Sequence, residues 1–209
     1  PTPGLCAPDC PTCGGLGWVR IDAPRGAENF GRAQPCPRMP ARTRLTDART
    51  GLKYNELDAL DWGLLFANGN VLPAMQIVQR VLARGYGFVY LWGAPGLGKT
   101  LMLKVAVAEA VRAGKPAAYA NAADVLDDIR DAYNQDDPRE SAAARLARWS
   151  ELPLLCIDEL GRTAGTEWAG EKMFQLINRR NEAAVYQQGV TLIASNFDPE
   201  KFDRALYDR

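Results

Sequence analysis

Histidine is missing from all 209 residues, and with it goes every mechanism that needs an imidazole as base, proton shuttle or metal ligand. A Ser-His-Asp triad is excluded. Net charge is lacking too: 25 basic residues balance 25 acidic ones. The chain therefore does not coat nucleic acid by bulk charge, and any such binding is local. No apolar stretch approaches the roughly 18 residues that cross a bilayer. The opening Pro1-Thr2-Pro3-Gly4 has neither the basic start nor the apolar run of an export signal. The expectation is a soluble, cytoplasmic chain with no membrane partner. Internal repeats and low-complexity tracts are absent as well. What remains, 47% hydrophobic and 24% charged residues, is an ordinary globular composition, enough for one good core and a small appendage.

The first 49 residues are rich in Pro, Gly and Arg and carry four of the five cysteines, Cys6, Cys10, Cys13 and Cys36. From residue 50 onward apolar runs alternate with amphipathic stretches. This composition shift sets two domains, a cysteine-rich segment with a basic linker over 1–49 and a larger domain over 50–209. Between Arg20 and Lys53 eight basic residues face three acidic ones, and between Asn121 and Glu140 seven acidic residues face two basic ones.

The pattern predicts a helix over 54–66 and a second, with Pro73 in its first turn, ending near Gly85. Strands follow over 88–92, 117–120, 154–157 and 190–194. Helices are expected over 99–113, from a cap at Asp124 with Val125, Leu126, Ile129 and Tyr133 on one face, over 140–149, and over 168–187 with Met173, Phe174, Ile177 and Ala184 inward. A short last helix starts at Asp198-Pro199. Strands separated by helices imply an α/β fold, a parallel sheet with helices on both faces.

Gly93-Ala94-Pro95-Gly96-Leu97-Gly98-Lys99-Thr100 fits the phosphate-binding loop G-x-x-x-x-G-K-[ST], and it lies between a predicted strand and a predicted helix, as the mechanism requires. Its backbone N–H groups and the following helix N-terminus suit phosphate oxygens. Lys99 reaches the β and γ phosphates of ATP, and Thr100 binds magnesium. The buried run Leu154-Leu155-Cys156-Ile157 delivers Asp158 to the magnesium shell and Glu159 to the attacking water. Cys156, in mid-strand, is a core side chain. A whole strand and helix unit separates the two motifs, which favours the ATPase branch of P-loop proteins. Asn196, after the strand over 190–194, can bond both the water and the γ-phosphate, although Ser-Asn is also a common turn beginning.

The strings from Gly87 to Thr100, Ile157 to Gly161 and Ile193 to Phe197 resemble the AAA+ ATPases of the DnaC/IstB type, bacterial and phage replicative-helicase loaders and the related transposition ATPases. The resemblance spans roughly residues 50–209. It implies Walker B roles for Asp158 and Glu159, a sensor 1 role for Asn196, and an arginine finger acting in trans from the Asp208-Arg209 pair. It also implies self-association, single-stranded DNA and a replicative helicase as partners. The alternative is a transposition ATPase that binds duplex DNA and activates a transposase. A metabolite kinase is a further rival, disfavoured by an acidic stretch where a basic lid belongs. A third reading makes the cysteine segment the working end and the ATPase a passive switch.

Cys6-x3-Cys10-x2-Cys13, then 22 residues to Cys36, puts four thiols in 31 residues. In the reducing cytosol zinc is favoured over two disulfides. Met39 stands where a second C-x-x-C would end, and a thioether is a poor zinc ligand; Cys6 restores the count to four, with another fourth group or metal-free thiols as the alternatives. So short a segment has little core, and zinc binding would be its folding energy. Some loaders of the resembling family carry such a module.

Overall fold

The computed structural model describes residues 10–14, 18–20, 24, 33–38, 50–52, 56–66, 71–134, 141–161 and 166–198. The chain divides into two compact units, Pro1–Ala59 and Leu60–Arg209. In the first, strands β1 (Trp18–Arg20) and β2 (Ala33–Pro35) form an antiparallel ribbon with Trp18 opposite Pro35. A turn at residues 10–14 precedes the ribbon and Cys36 follows it directly, so the ribbon returns Cys36 toward Cys10 and Cys13. Helix α1 (Glu56–Ala59) closes this unit.

The second unit runs α2 (Gly63–Phe66), α3 (Leu72–Arg84), β3 (Tyr86–Trp92), α4 (Lys99–Arg112), β4 (Ala117–Asn121), α5 (Ala122–Asp131), α6 (Ala142–Ser150), β5 (Leu154–Asp158), α7 (Glu167–Val185) and β6 (Gly189–Ser195). All strand pairs are parallel and the order across the sheet is β3-β6-β5-β4. The strand ending in the carboxylates is thus separated from the loop strand by β6, an arrangement that strand spacing along the chain does not reveal. Side chains alternate across each strand. Leu155, Ile157 and Ile193 meet Val125, Ile129, Leu146, Met173 and Leu176 of α5, α6 and α7 on one face. On the other, α4 packs on β4, β5 and β6, and Met102, Leu103, Val105, Ala106, Val107 and Ala108 are all buried. The expected α/β sheet with helices on both faces is the fold found.

Local chemistry sets the element ends. Pro73 lies in the first turn of α3, and Gly85 ends it at φ 83°, its N–H bonded to the Val81 carbonyl. Ser141 and Thr166 cap α6 and α7, accepting the N–H groups of Ala144 and Ala169. Three expectations need correction. The helix over 54–66 is broken into α1 and α2, because Asp61 Oδ1 captures the Gly63 N–H at 2.6 Å and offers the backbone an alternative to the helix. The N-cap position of α5 is Asn121, with no side-chain cap bond, and Asp124 lies inside the first turn, with Tyr133 61% exposed beyond the helix end. On α7 the buried residues are Ala169, Met173, Leu176 and Arg180, and Ile177 packs half-buried against the core as expected. Phe174, rotated about 100° from Met173, is 52% exposed. The boundary at Arg49 and the last helix from Pro199 lie outside the described residues. Among the described residues, no helix is long and apolar enough to cross a membrane.

Candidate nucleotide-binding site

The loop of residues 93–100 joins the end of β3 to the start of α4. Its shape depends on residues without a side chain. Gly93 has φ 141°, and a Cβ there would stand 3.0 Å from Leu97 Cδ1; Gly98, the residue before α4, has φ 83°, and its Cβ would stand 3.2 Å from Leu65 Cδ2. The first N–H groups of α4 have no partner within the helix and carry its partial positive charge. Ala94, Pro95, Gly96, Leu97 and Thr100 are exposed, so the loop is open to a ligand. The Lys99 ammonium folds back on the loop, donating to the Gly93 and Ala94 carbonyls at 2.7 and 2.8 Å. Desolvation lowers the pKa of Lys99, while the nearby charge of Asp158 works the other way.

Three strand ends meet beside this loop. Trp92 is opposite Ser195 and Ile157 opposite Ile193, so β6 brings Asn196 between the loop and the carboxylates. Asp158, the last residue of β5, is 5% exposed. Its Oδ1 accepts the Glu159 N–H at 2.8 Å and its Oδ2 accepts the Tyr119 hydroxyl at 2.9 Å. Glu159 turns out of the strand at φ 55°, a left-handed conformation rare for a residue with a side chain, and is exposed. The turns after β5 and β6 are tied together. Ser195 Oγ donates to the Leu160 carbonyl at 2.7 Å, and the Leu160 N–H donates to the Ala194 carbonyl at 3.1 Å. The Tyr90 hydroxyl donates to the Phe197 carbonyl at 3.0 Å, fixing the backbone that follows Asn196. Asn196 itself is exposed. Tyr119 lies in no motif, and the roles of Tyr90 and Ser195, which sit inside the strings from Gly87 to Thr100 and from Ile193 to Phe197, are not legible in sequence because their partners follow other strands. Arg209 and its neighbour Asp208 lie outside the described residues.

In the first unit, the sulfurs of Cys10, Cys13 and Cys36 all lie within 4.8 Å of one another, and Cys10 and Cys36 are 3.9 Å apart. Sulfurs on a tetrahedral zinc with 2.3 Å bonds stand about 3.8 Å apart, so these three fit that ion. Backbone N–H groups of Thr12 and Cys13 pull the Cys10 thiol down to about 6. Cys6 and Met39 lie outside the described residues. Cys156 is fully buried in β5, where burial pushes its thiol well up, as suits a core side chain.

Comparison with known proteins adds a family and a fold. The family described as IstB-like ATP binding protein matches residues 83–209. The chromosomal replication initiator protein DnaA of Corynebacterium aurimucosum is 30% identical over 146 residues, 69% of this chain and 24% of the relative. The chain thus spans about a quarter of that relative's length. Among solved structures, AMPPCP-bound DnaA from Aquifex aeolicus superposes with a TM-score of 0.55 at 22% identity, covering 64% of this chain and 40% of the other. A primosome component assigned as such in Streptococcus pyogenes serotype M3 gives 0.56 at 14% identity, covering 77% and 81%.

Proposed function

Because this chain belongs to the family of IstB-like ATP binding proteins, we propose that it is an ATP-hydrolysing switch of DNA replication that delivers a replicative helicase to single-stranded DNA. The observation that carries the ATPase part is the convergence of the loop, Asp158-Glu159 and Asn196 at adjacent strand ends, with β6 between the loop strand and the carboxylate strand. In this reading the loop N–H groups of residues 93–98, Pro95 excepted, cradle the phosphates, and Lys99 leaves the Gly93 and Ala94 carbonyls to meet the β and γ oxygens. The oxygens of Thr100 and Asp158 suit magnesium, a hard ion that takes oxygen ligands; when bound, it neutralises charge on the phosphate oxygens. Glu159, exposed and turned out of the strand, takes a proton from the attacking water, and Asn196 orients that water. Arg209 acts in trans on the nucleotide of a neighbouring subunit, so hydrolysis is a property of a self-associated form.

Residues 1–49, within the first compact unit, are a module that Cys6, Cys10, Cys13 and Cys36 fold around zinc, and residues 50–209, which include the second unit, are the ATPase domain, at work in the cytoplasm. The family match itself favours a second reading, a transposition ATPase that binds duplex DNA and activates a transposase. ATP turnover measured alone, with single-stranded DNA and with duplex DNA, together with co-purification against a hexameric helicase, separates the two. Stimulation by single strands and retention of the helicase support the loader. Stimulation by duplex alone, with no helicase retained, supports the transposition factor and removes the loader.

A further inference from the structure

Tyr119 belongs to no motif, yet its phenol reaches the carboxylate that ends β5. It is the middle residue of β4 and stands opposite Cys156 in the parallel ladder. By the two-residue alternation of strands, its side chain lies on the same face of the sheet as those of Cys156 and Asp158. The hydroxyl donates to Asp158 Oδ2 at 2.9 Å. The ammonium of Lys104, one turn beyond Thr100 on α4, lies 5.2 Å from the centre of the Tyr119 ring. A phenylalanine would fill the same space without the hydroxyl that donates to the carboxylate oxygen.

We propose that Tyr119 is a positioning residue for the magnesium-nucleotide site, a role that rests on the ATPase reading above. Among the described residues both oxygens of Asp158 are held, Oδ1 by the Glu159 N–H and Oδ2 by the Tyr119 hydroxyl. A carboxylate held from both sides does not rotate about its Cβ–Cγ bond, so its remaining lone pairs keep one direction. Outer bonds of this kind orient a ligand before the ion arrives, and their loss typically costs about 10–100-fold in metal affinity. Lys104 holds the ring by its charge over the π face and so fixes where the hydroxyl points.

The test is a fluorescent ATP analogue titrated onto the 209-residue chain across magnesium concentrations and in EDTA. Tyr119→Phe should raise the half-saturating magnesium about tenfold and leave affinity in EDTA unchanged. Lys104→Met, which keeps the hydroxyl, should shift the midpoint the same way by less. In an Asp158→Asn background, Tyr119→Phe should bring no further shift, because the group it orients is no longer a carboxylate. A magnesium midpoint within twofold of wild type in Tyr119→Phe overturns the positioning role, and so does an equal shift in the Asp158→Asn background, which marks a general loosening of the sheet. Wild-type protein that binds no nucleotide overturns the ATPase reading together with the role, and that result is visible before any variant is made.

Discussion

The Lys99 ammonium and the Gly93 carbonyl, at the two ends of the phosphate loop, are joined by a 2.7 Å hydrogen bond. The lysine therefore reaches the phosphates by exchanging backbone acceptors for charged oxygens, a stronger partner for the same donor. Lys99→Ala should lose about two charge-assisted bonds, about 3 kcal/mol, or roughly a hundredfold in ATP affinity. Glu159→Gln should keep ATP affinity and lower turnover by about 10²–10⁴, since the amide has the shape of the carboxylate and takes no proton from water. Equilibrium binding and a phosphate-release assay check both, and normal turnover in Glu159→Gln removes Glu159 from the mechanism.

Arg180 predicts a stability effect far from the nucleotide. It is 2% exposed on α7, and its guanidinium donates to Thr191 Oγ1 and to the carbonyls of Ser150, Leu152 and Val190. It thus fastens the end of α6 and the starts of β5 and β6. Arg180→Met keeps the apolar stem and strips those acceptors of their donor in a buried place. Unfolding free energy should fall by about 3 kcal/mol or more, with a Tm lower by about 10 °C. Thermal melts monitored by circular dichroism read it. A variant as stable as wild type means that water satisfies the carbonyls instead.

Arg180 also shows where sequence reasoning stops. The loop, Lys99 and the Asp158-Glu159 pair are legible because their chemistry is local: glycines and a lysine at fixed spacing, and four apolar residues that run into two acids. The buried arginine is not, since its acceptors come from residues 150, 152, 190 and 191, and it has no acidic partner at helical spacing to betray it. Tyr119 meets Asp158 across 39 positions of chain, a contact made only once β4 pairs with β5. Phe174 reads as inward by its hydrophobicity, and only the stripe of Met173, Leu176 and Arg180 on α7 shows which side faces the core.

Zinc content tests the first unit alone. Freshly purified protein should carry about one zinc per chain, and Cys36→Ser should lose it, because Cys36 is fully buried and its sulfur lies within 4.8 Å of those of Cys10 and Cys13. Chelation should unfold this unit, whose two-stranded ribbon is too small to stand by itself, while ATP binding persists. Elemental analysis under reducing conditions checks the first point and nucleotide affinity after chelation the second. Zinc-free native protein contradicts the assignment.

Two sets of arginines should respond differently to DNA. Arg145 donates to the Asp128 backbone carbonyl and to Asp128 Oδ1, both at 2.9 Å, and Trp149 Nε1 donates to Asp128 Oδ2 at 2.9 Å. Its side chain is only 12% exposed. That arginine brackets α5 to α6, so Arg145→Ala should cost about 2 kcal/mol of stability and leave the salt dependence of DNA binding as it was. Arg42 and Arg44, outside the described residues, belong to the stretch from Arg20 to Lys53 in which basic residues outnumber acidic ones eight to three. If they contact phosphates, each should contribute about 0.7 to the slope of log affinity against log salt for single strands. The double variant Arg42→Ala with Arg44→Ala should therefore flatten that slope by about 1.4 and leave the melting curve unchanged. Fluorescence anisotropy of a labelled oligothymidine at several salt concentrations gives the slope directly. A flattened slope in Arg145→Ala, with none in the double variant, would move the DNA contact from the basic linker to α6.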